Sequence, residues 1–174
     1  MIHPNDRRVE LESHPAVLRL LTRLFPEVDG KDIRQSTLDE DRNQGADWFV
    51  GSAKIAVRVR SAFYSRYFGD FTIRECRPTG YKTELEKIRE NAWADYYFYG
   101  FWRPDVHTNG CMFGWYFTDM RRFNPNAPHT IMPGDHEATV RIYKITGQPP
   151  DFVIATRRLD GSVFIQYPTQ RTAA

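Results

Sequence analysis

The first regular pattern of apolar and polar positions along the chain is helical. Apolar residues recur at helical spacing from Val17 to Phe25, with arginines between them. Ser13 or the His14-Pro15 pair can start a helix here, because proline is well tolerated in a first turn, and Pro26 ends the run. The pattern predicts one amphipathic helix of about three turns near the start of the chain.

The middle of the chain changes to the two-residue period of β-structure. Residues 47–50 form one apolar run and residues 54–60 a second, with Gly51-Ser52 between them as a hairpin signal. In the second run β-branched residues alternate with polar ones, so Arg58 and Arg60 are predicted on the face opposite the β-branched side chains. The sequence therefore predicts a strand hairpin whose second strand presents two arginines on one face.

The remaining patterns add a helix and several strands. Thr83 followed by Glu86 is a capping-box pattern, which predicts a helix start. Further strands are predicted at residues 71–76, 94–101, 111–117, 139–145, 152–156 and 162–167, a short helix up to residue 122, and irregular structure at residues 36–46 and 124–136. The order predicts a single α/β domain over residues 1–174, with a mixed central β-sheet flanked by helices, a core at about residues 11–122 and a C-terminal β-strand extension at about residues 137–168.

Composition narrows the class of protein. The chain has 174 residues, of which 41% are hydrophobic and 26% charged, as expected for one globular domain. It has neither a signal-peptide pattern nor a run near the roughly 18 apolar residues of a membrane span, so a cytoplasmic protein without a membrane partner is expected. The net charge is +2, but residues 54–77 hold six basic residues against two acidic ones. Cys76 and Cys111 are predicted to be buried strand residues.

The hairpin and the elements after it resemble a known nuclease fold. Asp47 stands at the start of the hairpin, Arg58 and Arg60 lie on its second strand, and a capped helix and the apolar strand at residues 94–99 follow. Over roughly residues 36–118 this arrangement resembles the PD-(D/E)xK nuclease superfamily, the restriction-endonuclease-like fold. The resemblance implies that an Asp converges with a Glu/Asp/Gln-x-Lys pair, that two carboxylates hold Mg²⁺, and that the lysine orients the attacking water.

The residues at the expected active positions depart from that pattern. Asp47 stands at the first acid position, whereas Arg58 replaces the second acid and Arg60 replaces the lysine. An arginine cannot ligate Mg²⁺, because it stays protonated and has no lone pair to offer. One hypothesis is therefore a nucleic-acid-binding protein that has lost phosphodiesterase activity, in which both arginines contact phosphate or pair with Asp47.

Two other hypotheses stay open. An active Mg²⁺-dependent DNA endonuclease would need an acid from elsewhere beside Asp47, and the candidates are Glu40 and Asp41 before the hairpin and Glu75 on the next strand. Asp47 and the arginines could instead form a structural ion pair on an exposed sheet face. The rival function for the whole chain is a protein-interaction or homodimerisation module. The aromatic content of 14% at near-zero net charge favours that third hypothesis.

Basic residues interleaved with aromatic rings predict where a nucleic acid would bind. Residues 63–68 hold such rings beside Arg66, and stacking on bases is the expected role of Tyr64, Tyr67 and Phe68. The alternative is a loop that folds back on its own hydrophobic cluster. With DNA as the expected partner, the predicted contacts are Lys54, Arg58, Arg60, Tyr64, Arg66, Lys82 and Lys87.

Overall fold

The structure, a computed structural model, describes residues 5–76, 78, 80–104, 110–133 and 138–165. Within these residues the α-helices are α1 (Asn5–Leu24), α2 (Leu38–Gln44) and α3 (Glu84–Arg89). The strands are β1 (Ile33–Gln35), β2 (Trp48–Val50), β3 (Ala53–Ser61), β4 (Asp70–Cys76), β5 (Tyr96–Arg103), β6 (Cys111–Asp119), β7 (His129–Pro133), β8 (Thr139–Lys144), β9 (Val153–Arg157) and β10 (Val163–Ile165). Among the described helices, none is long and apolar enough to cross a membrane.

The strands form two sheets. The large sheet has seven strands in the order β1-β2-β3-β5-β6-β9-β10, and the small sheet has three antiparallel strands in the order β4-β8-β7. In the large sheet β3 and β5 are parallel, with Arg58 opposite Tyr99, and the other neighbouring pairs are antiparallel. The connection from β3 to β5 runs through β4 and α3, which supplies the long crossover that a parallel pair needs. The predicted α/β class and mixed central sheet are confirmed.

Helix α1 covers one face of the large sheet. Val17 and Leu21 of the helix are fully buried, as is Phe25 just after its end. They pack in one cluster with Ile55 of β3 and Phe98 of β5. Burial of each such side chain stabilises the fold by roughly 1.5–3 kcal/mol, so the apolar stripe fixes the helix against the sheet.

The small sheet covers the opposite face. Phe71 of β4 and Tyr143 of β8 are buried in one cluster with Tyr97 and Tyr99 of β5 and Tyr116 of β6. The rings of Tyr99 and Tyr116 stack with their centroids 5.3 Å apart. Strands β5 and β6 are therefore buried on both faces, which explains why their sequences are almost continuously aromatic.

The first helix is longer than predicted. It begins at Asn5 and contains Pro15, whereas the sequence indicated a start near Ser13. Val9 and Leu11 are the apolar residues of the added turns, but they are two positions apart, which is not helical spacing, and only Val9 is buried against the same core. The buried Ser13 donates its hydroxyl to the carbonyl of Glu10 (2.8 Å). Packing against the sheet outweighs the loss of the hydrogen bond that proline cannot donate.

Residues 36–46, predicted to be irregular, contain α2. The Thr37 hydroxyl accepts from the Glu40 amide, and the Glu40 carboxylate accepts from the Thr37 amide (2.8 Å), which completes a capping box. Gly45 ends the helix with φ of 61°, and a Cβ there would lie 2.1 Å from Cδ1 of Trp93. Both the backbone conformation and the close approach of the indole require glycine at this position.

The C-terminal strands take part in both sheets. Strands β9 and β10 complete the large sheet, and β7 and β8 build the small sheet on β4. Residues 129–133, predicted to be irregular, form β7, while residues 134–137 and 166–174 lie outside the described residues. Cys76 and Cys111 are exposed at strand ends, in contrast to the predicted burial.

Candidate functional site

A cleft of about 980 Å³ opens between the two sheets. Strands β3 and β5 form one wall, β4 and β8 form the other, and residues of α2 and α3 lie at one end. Arg58 and Arg60 face this cleft because they lie on the side of β3 opposite to Ile55, which packs under α1. Among the described residues the lining carries seven basic and five acidic side chains, so the site is polar although it lies between two apolar cores.

An ion pair between Arg58 and Glu84 ties the walls of the cleft together. Arg58 donates from Nη2 to Glu84 Oε1 (2.6 Å) and from Nη1 to Thr72 Oγ1 (2.7 Å). The other Glu84 oxygen, Oε2, accepts from the backbone amide of Arg74 (2.8 Å). Only 19% of the Arg58 side chain and 16% of the Glu84 side chain are exposed. One buried pair thus joins β3, β4 and the first turn of α3.

Local sequence places Glu84 at this point. The Thr83 hydroxyl accepts from the Glu86 amide, and the Glu86 carboxylate accepts from the Thr83 amide (2.7 Å), so α3 begins at Glu84. A carboxylate in the first turn is favoured by the partial positive charge at a helix N-terminus. Burial lowers the pKa of the Arg58 guanidinium, whereas the negative charge of Glu84 raises it. The net result is a pKa above the usual value. Arg58 is therefore charged at every accessible pH.

Asp47 lies just before β2 at the edge of the cleft. Its Oδ2 accepts from the Val57 amide (2.6 Å), and its own amide donates to the Ile55 carbonyl (2.9 Å). Burial raises the pKa of Asp47 to about 7, helped by the negative charges of Asp41 and Glu10. The Val57 hydrogen bond and the charge of Arg58 act in the opposite direction but are weaker. Asp47 therefore takes up a proton at a much higher pH than an ordinary aspartate does.

The residues around Asp47 do not fit a resident Mg²⁺ ion. Arg58, at the predicted second acid position, brings a fixed positive charge instead of an oxygen ligand. In the described parts of the chain, no group of three or more His, Cys, Asp or Glu side chains is arranged to hold a metal.

The other predicted acids are held in different places. Glu40 receives two hydrogen bonds of 2.8 Å from Arg34, which together with Thr37 lower the pKa of Glu40 to about 2, and it lies outside the cleft lining. Glu75 is ion-paired with Arg141 (Nε to Oε1, 2.8 Å), also away from the lining. Of these candidates only Asp41 lines the cleft with Asp47.

The predicted basic and aromatic residues come together with one exception. Arg58, Arg60, Tyr64, Arg66, Lys82 and Lys87 all line the cleft. Lys54 lies outside its lining, and its amide donates to Asp95 (2.9 Å) at the start of β3. Lys87 is buried, and its Nζ donates to the Asp41 carbonyl (3.3 Å), so this lysine also links α3 to α2.

Several lining residues were not predicted from the sequence. Those with polar side chains include Glu10, Arg42, Asp70, Thr72, Arg74, Tyr81 and Glu84. Alternation along β4 places Thr72 and Arg74 on one face, and this signal was present in the sequence. The pairing of Glu84 with Arg58 had no local signal, because 26 residues separate the partners.

Comparisons with known proteins add no relative. No protein-family model, no curated protein and no solved structure matches this chain. The site is therefore interpreted from its own geometry and charge.

We expect the Arg58–Glu84 pair to stabilise the fold. The substitution Glu84→Gln leaves Arg58 without its countercharge in a largely desolvated place and should lower the free energy of unfolding by about 1–3 kcal/mol, measured by urea denaturation. The matched control is Glu90→Gln in the Lys82–Glu90 pair, whose side chains are 61% and 47% exposed. That change should cost less than about 0.5 kcal/mol. Equal effects of the two substitutions would show that the buried pair has no special role.

We expect Asp47 to make stability depend on pH. Because its folded-state pKa of about 7 lies above its ordinary value of 3.8, the folded chain retains a proton that the unfolded chain releases between these values. Wild-type stability should therefore fall relative to Asp47→Asn as the pH rises from about 4 to 7 and level off above that. Melting temperatures across this range measure the difference.

A second acid serves as the control of opposite sign. Hydrogen bonds from Ser162 lower the pKa of Asp160 below its ordinary value of 3.8, so the wild type should gain stability relative to Asp160→Asn as the pH rises towards about 3.8, and the difference should be constant above it. If the difference in melting temperature between the wild type and Asp47→Asn does not change with pH, the pKa of Asp47 is not raised.

Proposed function

We propose that this chain binds nucleic acid in the cleft between the two sheets and does not cleave it. The observation that carries the proposal is the state of Arg58. At the position where the PD-(D/E)xK resemblance expects a metal-binding acid, a charged arginine is held by Glu84 and faces a cleft lined with basic and aromatic side chains.

The charge distribution supports a phosphate ligand. Among the described residues, seven basic side chains line this cleft beside five acidic ones, and one of the acids, Glu84, already pairs with Arg58. Arginines form charge-assisted, bidentate hydrogen bonds with phosphate, and Arg60 and Arg66 lie at the end of β3 and in the turn that follows it.

The acids of the cleft support binding over cleavage. A two-carboxylate Mg²⁺ site needs a second ionised oxygen ligand beside Asp47, and Arg58 occupies that position. Protonation of Asp47 near neutral pH lowers the repulsion between this carboxyl group and a bound phosphate. Both features favour an anionic ligand and disfavour a divalent cation.

The active-nuclease alternative rests on a different observation. Asp41 and Glu10 line the cleft with Asp47 and raise its pKa, so negative charge does gather at this end. If these acids could hold Mg²⁺ or Mn²⁺, the chain would cut nucleic acid. Direct assays with both metals therefore belong in the test of the proposal.

The experiment measures binding of fluorescently labelled oligonucleotides to the purified chain by anisotropy. We expect affinity that falls steeply between about 50 and 200 mM salt, because phosphate contacts release counterions. Lys82→Gln should weaken binding and lower the slope of log K against log salt by about 1. The matched control is Lys31→Gln. Lys31 is 76% exposed and paired with Asp29, and Lys82 is 61% exposed and paired with Glu90. Unlike Lys82, Lys31 lies outside the cleft lining.

Three outcomes would contradict the proposal. Equal effects of Lys82→Gln and Lys31→Gln would place the binding surface elsewhere. Cleavage of single-stranded, double-stranded or branched DNA with Mg²⁺ or Mn²⁺ that is lost in Asp47→Ala would establish the active nuclease instead. Absence of binding at low salt, together with a stable dimer by light scattering, would favour the homodimerisation module.

A further inference from the structure

The aromatic rings at the opening of the cleft bear on the form of the ligand. Tyr64, Tyr67 and Tyr81 line the cleft, and Tyr67 and Tyr81 remain 49% and 57% exposed. Large rings of this kind are normally withdrawn from water, as Tyr97 and Tyr99 are deeper in the same cleft. Exposed rings at the opening of a basic cleft are therefore available to a ligand.

Each of these rings has an arginine over it. The guanidinium carbon of Arg66 lies 4.9 Å from the centroid of the Tyr67 ring, and that of Arg42 lies 5.7 Å from the Tyr81 ring. Arg60 lies 5.7 Å from the ring of Tyr64. The cation–π contacts orient the rings and place a phosphate-binding group beside every stacking surface.

The size of the cleft limits what can enter. Its volume of about 980 Å³ is at the upper end of the roughly 300–1,000 Å³ that encloses one drug-sized ligand. The space between the walls has the size of a few unpaired nucleotides. A duplex keeps its base faces stacked inside the helix and presents phosphates outward, so it would leave the tyrosine rings unused.

We infer that the ligand is single-stranded nucleic acid, with unpaired bases stacked on Tyr67 and Tyr81 and with its phosphates on the neighbouring arginines. The inference rests on the proposed function and names its substrate class. Stacking on rings is tolerant of base identity, because every base has a π-face, so the site reads the single-stranded state more than the sequence. DNA and RNA share this chemistry.

The test compares four probes of equal length, about 12 nucleotides, on the full chain: oligothymidine, oligouridine, an oligothymidine duplex with its complement, and an abasic strand. We expect one or both single strands to bind at least about tenfold more tightly than the duplex and the abasic strand. A stronger affinity for oligothymidine assigns the ligand to DNA, and for oligouridine to RNA, and either supports the inference.

Ring variants separate stacking from charge. Tyr67→Ala and Tyr81→Ala should each lower the affinity for the single strand by roughly fivefold to a hundredfold and leave the abasic strand nearly unaffected, whereas Tyr81→Phe should retain binding. The control is Phe164→Ala, because Phe164 is 52% exposed on β10 and lies outside the cleft lining.

The outcomes distinguish this inference from the proposed function. A duplex that binds as tightly as the single strands, or ring variants without effect, overturns single-strand recognition while nucleic-acid binding stands. If no probe binds at low salt, both are overturned.

Discussion

The ion pair between Arg58 and Glu84 is the interaction on which the shape of the site depends. It joins β3 of the large sheet to α3, and through Thr72 and the Arg74 amide it also joins β4 of the small sheet. A desolvated charge pair of this kind adds little stability over an apolar replacement, but removing one partner leaves an uncompensated charge away from water. The ion pair mainly fixes positions. It holds an arginine where the resemblance expects a metal ligand, and it connects the two walls of the cleft.

The cleft itself follows from burial on both faces of the large sheet. Strands β5 and β6 are apolar on each side, so α1 must cover one face and the small sheet the other. The small sheet packs through Phe71 and Tyr143 against the aromatic side chains of β5 and β6. Beside this contact the polar face of β3 is left only partly covered. The polar cleft between the two apolar cores therefore results from the way the two sheets pack on each other.

Much of this could be predicted from local patterns, and the remainder depends on contacts between distant residues. Alternation along β3 correctly placed Arg58 and Arg60 on one face, and the capping box at Thr83 correctly marked the start of α3. The same box at Thr37 also begins a helix, but the polar composition of residues 36–46 suggested a loop, and composition was the weaker guide. The partner of Arg58 could not be predicted, because its distance from β3 is set by tertiary packing and not by any sequence period.

The central claim is that nucleic acid occupies the cleft between the two sheets. Photo-cross-linking of a bromouridine-substituted single strand, followed by mass spectrometry of the attached peptides, locates the ligand directly, since the side chains that react are those in contact with a base. The account predicts attachment at Tyr64, Tyr67 or Tyr81, all in the lining of the cleft. Attachment instead at an exposed ring outside that lining, such as Phe164 on β10, would contradict it.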